Sequence, residues 1–202
     1  MQQYPEKERR IFEGVLALAE GGADLHLLTV QDIARAAGIG KGTVYEYFTS
    51  KEDILAGTIL YCIEAELDGA ERVMQAETSF DGCLEGVGRL LGEVLEQRLV
   101  RYRLMMDSLQ RSVSAQPAGK YGQRVQVQCG RLVRMAKRLV ELGRAEGRIR
   151  PEYTQEYCLF VLRAALHGLV VSCGDPLAAP ARPAAAGRAL ACAAQMLRRA
   201  LG

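Results

Sequence analysis

Apolar residues recur at three- and four-residue spacing along most of the chain, and no stretch alternates apolar and polar as a half-buried strand would. That pattern predicts an all-α protein. Ile11, Val15, Leu18 and Ala19 mark a first helix, with Pro5 in its first turn and Gly21-Gly22 as its stop. Thr29 is placed to cap a short second helix: Asp32 lies in the first turn, Ile33 and Ala37 form the apolar face, and Gly38 ends it. A third helix is expected near 41–48, and a long fourth, capped by Ser50, over 51–76. Further helices are predicted at about 80–96, 98–112, 120–146, 152–173 and 183–201, about nine in all.

The stretch Gly38 to Phe48, GIGKGTVYEYF, runs from the end of the second helix through the third. Two short helices joined by a tight turn containing glycine describe a helix-turn-helix, whose second helix fits a DNA major groove. Val44 and Phe48 are four apart and share the inward face, with Ile39 at the corner. Ala34 and Ala37 are small enough to let the helices cross closely. Glu46 lies about 200° around the helix from Val44 and points outward, with Gly42 one turn before it. Thr43, Tyr45 and Tyr47 flank that face, and their hydroxyls are neutral phosphate ligands.

Composition changes this picture in one respect. The 202 residues carry a net charge of only +2, so no global basic footprint announces nucleic acid. Residues 1–56 hold 6 Lys+Arg against 9 Asp+Glu, a net of −3, and the remainder holds 20 against 15, a net of +5. Any contact with DNA at the N-terminal end must therefore come from local placement. With 49% hydrophobic residues and no apolar run of about 18, the chain reads as a soluble, cytoplasmic globular protein without a membrane span.

Residues 28–55, LTVQDIARAAGIGKGTVYEYFTSKEDIL, resemble the DNA-binding signature of tetracycline-repressor-type (TetR family) transcriptional regulators. The resemblance rests on Thr29, Ile33-Ala34, Ala37-Gly38-Ile39, Gly42-Thr43-Val44-Tyr45, Phe48 and Ser50-Lys51-Glu52. It implies that Thr29, Lys41, Thr43, Tyr47 and Lys51 touch phosphates and that Gly42 and Tyr45 reach base edges. Two positions depart from the pattern. Gly40 stands where a capping Ser is common, and Glu46 where an aromatic or basic residue is frequent. A carboxylate there is repelled by phosphate but can accept from cytosine N4; the alternative is an ordinary solvated helix residue.

The resemblance also implies an N-terminal three-helix DNA-binding domain over 1–56 and a helical ligand-binding and dimerisation bundle over 57–202. Leu159, Leu162, Leu166 and Leu169, and Leu190, Ala193, Ala194 and Leu197, fall at three-to-four spacing on the last two helices. The family's habit of pairing through those helices assigns them to a homodimer interface. For an effector pocket between the middle helices, Tyr102, Met105, Met106 and Leu109 are candidate walls, methionine being adaptable. Tyr61, Tyr121, Cys129 and His167 are candidate polar contacts. His167 has no second histidine at metal spacing, the only other being His26, and the six cysteines show no C-x-x-C pair. Neither a metal nor another cofactor is expected. No nucleophile elbow, P-loop or H-E-x-x-H motif is present, so an enzyme is not expected either. The resulting expectation is a ligand-responsive regulator, a repressor released from a palindromic double-stranded operator by a small molecule. Two alternatives stand beside it: a thiol-based redox regulator on the same fold, and an all-α carrier or enzyme with a vestigial helix-turn-helix.

Overall fold

The computed structural model describes residues 4–25, 27–97, 121–174 and 182–202. Among them it contains eight helices and no strand: α1 (Glu6–Glu20), α2 (Val30–Ala36), α3 (Lys41–Tyr47), α4 (Lys51–Ala76), α5 (Phe80–Gln97), α6 (Gly122–Ala145), α7 (Gln155–Gly174) and α8 (Arg182–Leu201). The all-α class holds. The helix predicted at 98–112 lies outside the described residues. Pro5 is the residue before α1 rather than part of its first turn.

Local chemistry accounts for the boundaries. At α2 the Thr29 hydroxyl accepts from the Asp32 amide at 3.2 Å, while the Asp32 carboxylate accepts from the Thr29 amide at 3.1 Å. This reciprocal box satisfies two backbone donors that the first turn would leave orphaned. Asp32 therefore does more than complement the helix dipole, and its carboxyl is held below the usual range mainly by the hydrogen bond from the Thr29 side chain. Ser50 caps α4 by accepting from the Asp53 amide at 3.1 Å. At the far end of α2, Gly38 has φ +65°, a left-handed conformation that glycine adopts without a steric penalty. Its amide bonds the Arg35 carbonyl and the Ile39 amide bonds the Ala34 carbonyl, which closes the helix and turns the chain toward α3.

Two apolar clusters carry the packing. The first joins α1 to α4: Ile11, Phe12, Val15, Ile33, Ala34, Ala37, Val44, Phe48 and Ile54 are all buried, and Leu60 and Tyr121 complete the same cluster from beyond residue 56. Phe12 meets Phe48 edge-on with ring centres 5.6 Å apart. The α1–α2 approach is so close that a methyl group on Gly14 would sit 2.9 Å from the Ala37 amide nitrogen. The second cluster fills the body of the molecule, with Met74, Phe80, Cys83, Leu139, Val140, Ile149, Cys158, Val161, Ala165, Leu197 and Leu201 contributed by α4 through α8. Here α7 packs along α8, and α8 also touches α5.

Candidate nucleic-acid interface

The turn between α2 and α3 sets the direction of α3. Val44 is fully buried and Phe48 nearly so, which anchors one face of α3 on α1 and α4. The opposite face is left to solvent. Lys41, Gly42, Tyr45 and Glu46 are exposed, and Thr43 and Tyr47 are half-buried. Glu46 occupies the middle of the outward face, and Gly42 precedes it by one turn as a notch: a methyl group built on Gly42 meets no atom within 4 Å. The Lys41 ammonium lies 6.0 Å from the Tyr45 ring centre, within cation–π range, so those two outer side chains are held together. Gly40, the residue before α3, supplies no side-chain cap. The N-terminal amides of α3 are thus not covered by a side chain from that residue. Thr29, at the start of α2, and Lys51, at the start of α4, flank the recognition helix in sequence and lie at helix N-termini, where backbone amides favour anions.

Of the eight candidate effector residues, four lie among the described ones, and two of these, Tyr61 and Tyr121, share the N-terminal cluster. Tyr61 is half-buried and packs against the rings of Phe12 and Tyr4, at 5.5 and 5.6 Å between centres. Tyr121 is buried in the N-terminal cluster, where its hydroxyl oxygen would lie 2.7 Å from a methyl group on Gly57. Burial is the main reason its hydroxyl is pushed well above the usual phenol range. Cys129 and His167 are exposed. Tyr102, Met105, Met106 and Leu109 lie outside the described residues.

Sequence reasoning missed the contact between α4 and α6. Glu64, Asp68 and Glu71 on α4 face Arg124, Gln128 and Arg131 on α6, each set at four- then three-residue spacing. Arg124 grips Glu64 with two nitrogens, at 3.0 and 2.7 Å, and Gln128 donates to the same carboxylate at 2.9 Å. Arg131 holds Glu71 at 2.9 and 2.8 Å and reaches Asp68 at 2.5 Å. Arg124 also stacks 3.8 Å over the Tyr4 ring. The seam lines a groove of about 1360 Å³ bounded by Tyr4, Tyr61, Arg72 and Arg134 as well. Its fork-on-carboxylate pairs are the strong kind of ion pair, and they bind the middle of α4 to the body of the molecule.

A cluster of three or more metal-ligating side chains is not found among the described residues. Cys62, Cys83 and Cys158 are buried, and burial pushes the Cys83 thiol up, away from reactive thiolate.

The capped turn and its outward helix lie within the one segment that a family model matches. Residues 19–58 match the model of the bacterial regulatory proteins of the tetR family. The chain therefore carries a tetR-type regulatory segment over residues 19–58. No curated protein sequence matches it. Among solved structures it is similar to the ketosteroid transcriptional regulator KstR2 of Mycobacterium tuberculosis, at 21% identity over 96% of this chain and 95% of that one, with a TM-score of 0.63. A transcriptional regulator from Cytophaga hutchinsonii superposes with a TM-score of 0.70 at 15% identity, covering 98% and 99% of the two chains. SmeT, the repressor of a Stenotrophomonas maltophilia multidrug efflux pump, gives 0.62 at 18% identity over 96% and 90%. At these identities the likeness is one of fold, and it covers nearly the whole chain. No described helix is long and apolar enough to cross a membrane.

Proposed function

We propose that this chain is a TetR-family regulator that grips a near-palindromic operator as a homodimer, each protomer laying the outward face of α3 in a major groove, and that it represses until a small molecule releases it. The observation that carries this reading is the division of α3 into a face buried on its own chain (Val44, with Phe48 next to it) and an exposed face of Gly42, Tyr45 and Glu46. In the proposed complex Thr29, Lys41, Thr43, Tyr47 and Lys51 hold phosphates, and Gly42 and Tyr45 meet base edges. An effector-bound conformation that misplaces the two recognition helices would have lower affinity for DNA, and by linkage DNA would lower affinity for effector. α4 runs unbroken from the end of the recognition unit into the polar seam with α6, so it is the element through which such a displacement would travel. The site of action is the cytoplasm, with the DNA.

Gly42 tests the docking pose. In Gly42→Ala the methyl group meets nothing inside the protein, and alanine favours a helix over glycine by roughly 1 kcal/mol. The variant melts at or above the wild-type temperature, yet its operator affinity falls about tenfold because the methyl group holds α3 off the bases, a loss comparable to one mismatched base pair. Fluorescence anisotropy beside a melting curve reads both quantities. Equal affinity in the folded variant rules out close approach at Gly42.

For the dimer, α7 and α8 divide the predicted apolar positions. Leu169 and Leu197 are buried within their own chain, Leu159, Leu162, Leu190, Ala193 and Ala194 are half-buried, and Leu166 is 41% exposed. Phe160 at 63% and Met196 at 41% add to the exposed apolar set. A second copy would cover these side chains. Phe160→Glu leaves the protomer folded, since the side chain is 63% exposed, and yields monomers by light scattering. Operator affinity then drops by about 100-fold or more as the two half-sites lose their tether. A dimer of unchanged strength would place the interface elsewhere.

A further inference from the structure

We propose that Glu46 reads a cytosine in each operator half-site and is the residue that sets the base preference at that position. This rests on the major-groove docking of α3 proposed above. Glu46 sits at the centre of the outward face, about 200° from the buried Val44 and one turn beyond the Gly42 notch. Nothing among the described residues pairs with its carboxylate, whereas Asp32 is engaged in the α2 cap and Asp53 accepts from the Thr49 amide at 3.2 Å. The neighbouring cation, Lys41, is drawn toward the Tyr45 ring.

A carboxylate has only acceptor oxygens. On the phosphate backbone it is repulsive, and guanine and thymine offer acceptors toward the major groove, so they reject it. Adenine offers an amino group, but with the N7 acceptor beside it. Cytosine offers its N4 amino group without an acceptor alongside on the same base, and is the edge that a lone carboxylate fits. The negative balance of residues 1–56 makes the choice sharper. A half-site that fails to supply a donor leaves Glu46 desolvated against a ring of acceptors, so the residue rejects wrong bases as much as it favours the right one.

The test is selection of binding sites from a random duplex pool by the wild-type dimer, Glu46→Gln and Glu46→Ala, followed by anisotropy on the selected sequence with each base substituted. Wild type is expected to return a palindrome with one C·G pair per half-site favoured about tenfold or more over the other pairs. Glu46→Gln shifts that position toward adenine, which matches glutamine's paired donor and acceptor, and Glu46→Ala flattens it. Both variants keep the preferences elsewhere in the half-site. Both also bind unselected DNA more tightly than wild type, because a charge of the wrong sign has been removed. If wild type and both variants select the same bases at every position, Glu46 is only a solvated helix residue and the proposal fails. A uniform gain in affinity without any change in preference overturns it equally. If the wild-type protein selects no sequence at all, the docking of α3 itself is refuted, which is a different result.

Discussion

Phe48→Ala is expected to abolish specific DNA binding while leaving the body of the molecule folded. Phe48 closes α3 and lies 2% exposed where α1, α3 and α4 meet, edge-on to Phe12. It has few neighbours able to collapse into the space it would leave, because Phe12, Ile54 and Val44 are already fixed in the same cluster. Truncating a buried phenylalanine to alanine costs about 3–5 kcal/mol, comparable to the whole stability of a small unit. The loss falls on the α1–α3 unit, since the Met74–Leu201 cluster does not include Phe48. Hydrogen exchange should show protection lost across residues 6–47 and retained in α6 to α8, and operator affinity should fall by more than about 100-fold. A variant that binds operator within a few-fold of wild type would show that α3 is positioned by its backbone turn rather than by this ring.

The second large effect is expected at Arg131. Its side chain is 13% exposed and holds two carboxylates of α4. Arg131→Ala leaves Asp68 and Glu71 facing each other in the seam without their cation. The partly solvated acids can relax toward water, so the cost at neutral pH is about 1–3 kcal/mol, below that of a fully buried broken pair. That corresponds to a melting shift of roughly 2–12 °C for a chain of this size. The pH dependence identifies the cause. Hydrogen bonding from Arg131 is the largest reason that the Glu71 carboxyl is lowered from 4.5 in the folded protein. A depressed carboxyl stabilises the fold above its unfolded value, and that contribution is lost as pH falls through the folded value. Wild type should therefore lose stability below about pH 4.5, and the gap between wild type and Arg131→Ala should narrow over the same range. Urea unfolding at pH 7 and in acid measures it. A gap independent of pH would mean that Arg131 acts by packing alone.

What was legible in the sequence was local. Thr29, Gly38, Ser50 and the Val44/Phe48 pair lie within a few residues of the atoms they organise, so residue type and spacing are enough to place the turn and the two short helices. The same logic located α4 to α8 closely. The seam was not legible. Glu64 and Arg124 are 60 residues apart, and their meeting depends on how α4 and α6 are rotated against each other, although the matched four-three spacing of three acids against two arginines and a glutamine was visible as a hint. The apolar stripes of α7 and α8 were ambiguous for another reason. Spacing reveals that Leu166, Leu169 and Leu197 belong to apolar faces, but α7 carries apolar residues around most of its circumference. Which face meets its own chain and which is left over was decided by packing. The cap at Asp32 was read as a dipole effect because spacing alone does not show the reciprocal bond.

The cluster that supports the recognition helix draws Leu60 from α4 and Tyr121 from the residue just before α6, with Tyr121 seated over Gly57. A cut in the chain near residue 56 therefore passes through a core, and the consequence concerns transplantation. Chimeric regulators built by exchanging N-terminal segments at that point would join one parent's Phe12 and Ile54 to the other parent's counterparts of Gly57, Leu60 and Tyr121. A larger residue in place of Gly57 would strike a tyrosine held as Tyr121 is here, and a smaller residue at 121 would leave a void beneath α1. The portable DNA-reading module is discontinuous in sequence, and a graft that carries Gly57, Leu60 and Tyr121 along with residues 1–56 preserves it.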